Sequence, residues 1–136
     1  MHFVKNVEKF ITPEAYVTFV EADFRTVDFS KLPGPFNVYL FDGPHEAVDQ
    51  YQGLALALPC LDQQFVFIVD DWNWEKVRDG TMAALAQCGL GVLYAAAIRT
   101  TDHGGSPDHI LPITNSRAVR DFDWHNGYFI AVLNKP

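Results

Sequence analysis

Two adjacent aspartates, Asp70 and Asp71, follow five apolar residues in "FVFIVDDWNWEKVRDG" (65 to 80), and Asp42 closes a similar run in "FNVYLFDGPH" (36 to 45). A third run, "YVTFVEAD" (16 to 23), ends in Asp23. In an open parallel sheet, ligands bind beyond the carboxyl ends of the strands. If the strands before Asp42 and Asp70 are neighbours, three carboxylates meet at one point, where they would repel and one would hold its proton. A hard divalent cation such as Mg²⁺ removes the conflict, because it takes a few carboxylates together with water or substrate oxygens. His45, three residues after Asp42, adds an imidazole suited to proton transfer near neutral pH and is the candidate base.

Plainer roles fit the same residues. Asp70 or Asp71 suits the cap of a following helix. Asp42 before Gly43 and Pro44 suits a turn, and His45 suits the first turn of a helix. His103 and His109, with Asp102 and Asp108, lack tight ligand spacing and read as a solvated loop. Trp72, Trp74 and Trp124 read as core or rim packing. Ser30, Ser106 and Ser116 have no nucleophile-elbow context, which leaves acyl transfer without support.

The elements that must position these acids follow from periodicity. Phe3, Val4, Val7, Phe10 and Ile11 recur at helical spacing and "TPEA" stops that helix. Residues 16 to 23 and 36 to 45 read as strand segments separated by the breaker "LPGP". Ala47, Val48, Tyr51, Leu54, Ala55 and Leu58 share one helical face before a fully apolar strand at 65 to 69. Residues 74 to 88 read as a helix ended by Gly89 and Gly91, then "GVLYAAAIRT" as a strand. This alternation predicts an α/β domain with a mainly parallel sheet and right-handed crossovers. Residues 101 to 116 read as a long loop, and "DWHNGYF" as a turn, with Gly127 at a special φ, into a last strand at 127 to 134 that pairs antiparallel with the strand at 92 to 100 as a C-terminal hairpin at one sheet edge.

The totals bound the class. With 136 residues, 49% of them hydrophobic, the chain builds one core and a single domain over 1 to 136. A formal net charge of −7 excludes a broad nucleic-acid or anionic-membrane surface. Cys60 and Cys88 sit in apolar contexts and read as buried reduced thiols. The absence of a membrane-length apolar run and of a signal-peptide pattern gives a cytoplasmic expectation.

At "FVEADF", "LFDGPHEAVDQY" and "FIVDDWNWEKVRDG" the sequence resembles the class I S-adenosylmethionine-dependent methyltransferases, and more closely their metal-dependent sugar and macrolide O-methyltransferase branch. The resemblance implies a Rossmann-like sheet and methyl transfer to a small-molecule hydroxyl. It implies Mg²⁺ on Asp42, Asp70 and Asp71, and S-adenosylmethionine near Asp23, Phe24, Asp42 and Gly43. It covers only the family's second half. No GxGxxG-like turn occurs in the sequence, so this chain alone is expected to bind the cofactor weakly or not at all and to be inactive, the implied methyl transfer belonging to the intact parent. The family's strand order, 3-2-1-4-5-7-6, would place two lost strands between the strands at 16 to 23 and 36 to 45, and the exposed edges predict a homo-oligomer. The rival expectation is a truncated, non-catalytic remnant acting as a dimeric ligand- or metal-binding module.

Overall fold

A computed structural model describes residues 2–100, 117–119 and 126–136; the predicted 101 to 116 loop, its histidines and Trp124 lie outside the described residues. Helix α1 (His2–Phe10) is followed by an irregular stretch with two short 3-10 turns (Phe24–Thr26 and Phe29–Lys31). Then come β1 (Phe36–Phe41), α2 (Ala47–Ala57), β2 (Leu61–Val69), α3 (Glu75–Gln87), β3 (Gly91–Thr100), β4 (Arg117–Val119) and β5 (Tyr128–Asn134). The sheet order is β1-β2-β5-β3-β4. β1 runs parallel to β2, and β3 to β4, whereas β5 is antiparallel to both β2 and β3. Among the described strands, four therefore share one direction and β5 alone is reversed, making an open mixed α/β sheet.

The alternating pattern decides what each face meets. Tyr39, Phe41, Phe65, Phe67, Val69, Phe129, Ala131 and Leu133 point to one face and pack with Leu54 and Ala57 of α2 and Val77, Ala84 and Leu85 of α3. Cross-strand partners on the other face are Val38, Val66, Val132 and Tyr94 in one row, and Leu40, Ile68, Ile130 and Ala96 in the next. That second face is half-buried to exposed, with Val38 at 56% and Leu40 at 54%. The two helices cross closely because Gly80 has no side chain to hold apart its contact with Ala47 and Gln50. α2 is held on β1 by the ring of Phe41, which lies against Gly53, and by the Tyr39 hydroxyl, which donates to the Gly53 carbonyl at 2.7 Å. Burial pushes the Tyr39 hydroxyl well above its ordinary pKa. Tyr39→Phe is expected to cost about 1 kcal/mol in urea unfolding, the usual net value of one hydrogen bond.

Two expectations need correction. Residues 16 to 23 form no strand: Tyr16 is 90% exposed and Val17, Phe19 and Val20 are also exposed. β-branched and aromatic composition favours a pleated surface only where an edge offers partners, and this stretch pairs with none of the described strands. The expected antiparallel pairing of the 92 to 100 strand with the last strand is present, as β3 with β5, but β5 is not the outer strand of the sheet. It inserts between β2 and β3, where both of its ladders are satisfied, and the short β4 takes the edge instead. Cys60 is buried and Cys88 half-buried, both free thiols raised in pKa by burial. No helix among the described residues is long and apolar enough to cross a membrane.

Candidate functional site: a carboxylate row at the ends of β1 and β2

β1 and β2 pair Leu40 with Ile68 and Phe41 with Val69, so the next residues, Asp42 and Asp70, leave adjacent parallel strands side by side. Ile68 pairs with Ile130 and Val69 with Phe129, which carries the same row one step further to Tyr128. The register alone thus lines up Asp42, Asp70 and Tyr128 at the carboxyl edge. Asp71 joins them through its backbone: its φ of 57° turns the chain sharply after β2, a conformation that aspartate tolerates better than most residues. One carboxylate oxygen from each of Asp42, Asp70 and Asp71 lies within 4.8 Å of the other two.

The surrounding bonds fix these groups. The Asp71 backbone N–H donates to Asp70 Oδ1 at 2.7 Å. Asp71 Oδ2 meets His45 Nε2 at 2.7 Å, and Asp71 Oδ1 accepts from Asn126 Nδ2 at 2.7 Å. The 70–74 turn is zipped to the start of β5: Trp72 N–H donates to the Gly127 carbonyl at 3.2 Å and Asn73 N–H to the Asn126 carbonyl at 2.7 Å. Arg78 of α3 donates to the carbonyls of Trp72 and Asn73 at 3.0 and 2.6 Å. Beneath the turn, Trp72 is buried and stacked on Phe129 with ring centroids 4.4 Å apart. Trp74 is exposed at the rim, 5.0 Å from the His45 ring.

Helix capping does not explain the acid pair. α3 starts at Glu75 after the N-cap Trp74, which makes no side-chain cap bond, so neither Asp70 nor Asp71 holds that position. His45 precedes Glu46, the N-cap of α2, and its imidazole reaches across to Asp71. Asp42, Asp70, Asp71 and His45 are therefore brought together.

Asp23 lies elsewhere in its bonding. It caps the 3-10 turn at Phe24–Thr26, and its carboxylate accepts from the Arg25 backbone N–H and guanidinium, both at 3.0 Å. The Arg25 backbone bond leads in holding Asp23 below the usual carboxylate range. Arg25 also bonds Asp49 of α2 at 2.5 Å, which ties the turn to the helix. Phe24 packs edge-on against Phe41, with centroids 5.3 Å apart, and a Cβ on Gly43 would overlap that same Phe41 ring. Phe24 and Gly43 thus flank one aromatic ring beside the carboxylate row. Ser30 is engaged by Asp28 at 2.6 Å in the second 3-10 turn.

Sequence reasoning did not single out Tyr128 or Asn126 as site residues. The usable signal was the turn "NGY" entering β5, with Gly127 at φ 81° as expected, but Tyr128 reaches Asp70 only because β5 lies beside β2. Burial, and after it the negative charge of Asp70, raises the Tyr128 hydroxyl above its ordinary pKa. A folded-state pKa raised above the unfolded value makes this contribution to stability complete below about pH 10, and it is lost as pH rises through the folded pKa. The phenolate absorbance of wild type minus Tyr128→Phe is expected to show this one tyrosine of five titrating late, and Asp70→Asn to bring it down.

Opposite oxygens in a Mg²⁺ shell lie about 4.2 Å apart and in a Ca²⁺ shell about 5 Å. The three oxygens, each within 4.8 Å of the other two, could hold one divalent ion, that upper bound lying inside the Ca²⁺ span and above the Mg²⁺ span. Comparison of the chain with family models, with curated proteins and with solved structures gave no match.

Proposed function

We propose that the carboxylate row holds Mg²⁺ and that the chain serves, within an intact parent protein, methyl transfer from S-adenosylmethionine to the hydroxyl of a small molecule. The observation that carries this reading is the convergence of Asp42, Asp70 and Asp71 at the carboxyl edge of two adjacent parallel strands. The order β1-β2-β5-β3 supports a Rossmann-like identity: it reproduces the 4-5-7-6 part of the methyltransferase sheet, including the reversed strand inside it. A divalent ion at this row would supply positive charge that lowers the pKa of an acceptor hydroxyl. The chain's own residues do the rest. Asp71 is locked by Asn126 and His45, Asp70 by the Asp71 amide, and both therefore keep their position as an acceptor arrives. His45 reaches Asp71 from the row's border and is the group to take the hydroxyl proton. Phe24 and Gly43 would border the cofactor, and Asp23 would read its adenine by sharing the carboxylate that Arg25 now engages.

The engagement of Asp23 by Arg25 favours a second reading, a non-catalytic metal- or ligand-binding module of the same ancestry. Incubation with isotopically labelled S-adenosylmethionine, Mg²⁺ and a panel of hydroxylated sugars and polyketides separates the two. The enzymatic reading predicts label in an acceptor hydroxyl, lost in Asp70→Asn. Metal binding with neither label transfer nor calorimetric binding of S-adenosylmethionine would leave only the second reading.

A further inference from the structure

Side chains alternate along a strand, so the register that pairs Leu40, Ile68, Ile130 and Ala96 on the sheet face away from the helices continues on that face to Asp42, Asp70, Tyr128 and Ile98. The row thus turns from apolar to polar in one step at the carboxyl edge of β1 and β2. Tyr128 stands directly opposite Asp70, a placement that sets Cβ atoms about 5 Å apart. Its hydroxyl is hydrogen-bonded to Asp70, and the charges of Asp42 and Asp71 act on the same group. The ring is half-buried and supplies packing that a phenylalanine would supply as well. What the hydroxyl adds faces the acids.

We propose that Tyr128 is a positioning residue of the cation site: its hydroxyl, donating to Asp70 from the neighbouring strand, holds that carboxylate at the angle at which it can share an ion with Asp42 and Asp71. This inference rests on the cation reading of the row and is independent of methyl transfer. A carboxylate held by one donor can swing about its side-chain torsions. Asp70 accepts from two sides, from the Asp71 backbone N–H on Oδ1 at 2.7 Å and from Tyr128. A carboxylate offers about four lone-pair sites, so two donors leave about two for an ion. Before an ion arrives, Asp42 and Asp71 push Asp70 away, and a hydrogen bond to a charged group outweighs the repulsion between carboxylates that water reaches. The start of β5 grips both members of the acid pair: Asn126 donates to Asp71 at 2.7 Å, Tyr128 holds Asp70, and Gly127 lies between them. Groups that hydrogen-bond a metal-ligating carboxylate in this way typically govern its affinity tenfold to a hundredfold, about the span expected here.

Mn²⁺ binding to the full chain, followed by the loss of its free paramagnetic signal, tests it. Tyr128→Phe, with its circular dichroism spectrum retained, is expected to bind with Kd raised about tenfold or more at unchanged stoichiometry. Tyr39→Phe, which removes a hydroxyl bonded to the Gly53 carbonyl elsewhere in the same sheet, should keep the wild-type affinity. A second measurement needs no variant to fold: Mg²⁺ added to the wild type should perturb the ultraviolet absorption of one tyrosine, the one whose hydroxyl bonds Asp70. That difference band should persist in Tyr39→Phe and vanish in Tyr128→Phe. Wild-type binding that Tyr128→Phe leaves unchanged overturns the inference while the cation reading stands. Equal losses in both variants, or ion binding by the wild type with no tyrosine band, overturn it as well. No binding by the wild type overturns the cation reading and this inference together.

Discussion

Mg²⁺ or Mn²⁺ is expected to raise the melting temperature of the wild-type chain by about 10 °C at a free concentration a hundred times Kd, and to leave Asp42→Asn/Asp70→Asn unmoved. Binding to the folded state alone contributes about 2.7 kcal/mol at that ratio, and a chain of this size gains about 4 °C per kcal/mol. Asparagine is the informative replacement because its Oδ1 can still accept the Asp71 N–H bond now made to Asp70, leaving the turn intact while two charges go. Without metal the sign reverses. Carboxylates this close repel by on the order of 1 kcal/mol per pair where water reaches them, so the double variant should match or exceed the stability of the metal-free wild type. Differential scanning calorimetry with and without the ion reads both arms. A shift of equal size in both proteins would assign the ion to another surface.

Gly127→Val is expected to lower stability by about 3 kcal/mol or more and to abolish the cation effect with it. At φ 81° a β-branched residue is strained, and any Cβ there would run into the Ile98 carbonyl and come within 3.1 Å of Asn73 Oδ1. The chain must then move where it matters most to the site. Gly127 lies between Asn126, which holds Asp71, and Tyr128, which reaches Asp70, and its own carbonyl receives the Trp72 N–H. Urea unfolding should show a lower midpoint at unchanged slope. Gly127→Ala, with a smaller side chain, should fall between the two proteins. A valine variant as stable as wild type would mean that the turn is looser than its bonds suggest.

Much of the scaffold was legible from the sequence because its residues obey one period at a time. β2 contains the unbroken apolar run 65 to 69, α2 and α3 form where helical spacing placed them, although α2 buries Asp49 and Gln50 and leaves Val48 of the expected apolar face exposed, and Gly89 at φ 65° ends α3 where a helix stop was expected. The stretch 16 to 23 misled because its composition reports suitability for a pleated surface, whereas a strand also requires a neighbour. The insertion of β5 was implied by the strand order of the resembled family and not by its own residues. Alternation places Phe129, Ala131 and Leu133 on one face, but nothing local specifies which two strands will flank them. The acids behaved differently. Asp42 and Asp70 each follow a strand readable by itself, and consecutive strands joined by one helix tend to be neighbours, so their meeting followed from topology. Tyr128 and Asn126 depend on β5 lying beside β2, and the bond from His45 to Asp71 depends on the left-handed turn at Asp71; no period encodes either.

The central claim is that Asp42, Asp70 and Asp71 form one cation site, and counting bound Mn²⁺ by the loss of its free paramagnetic signal tests it most directly. The account predicts one ion per chain, displaced by Mg²⁺, and no saturable binding in Asp42→Asn/Asp70→Asn. Binding of the same stoichiometry and affinity in that variant, or none in the wild type, would contradict it.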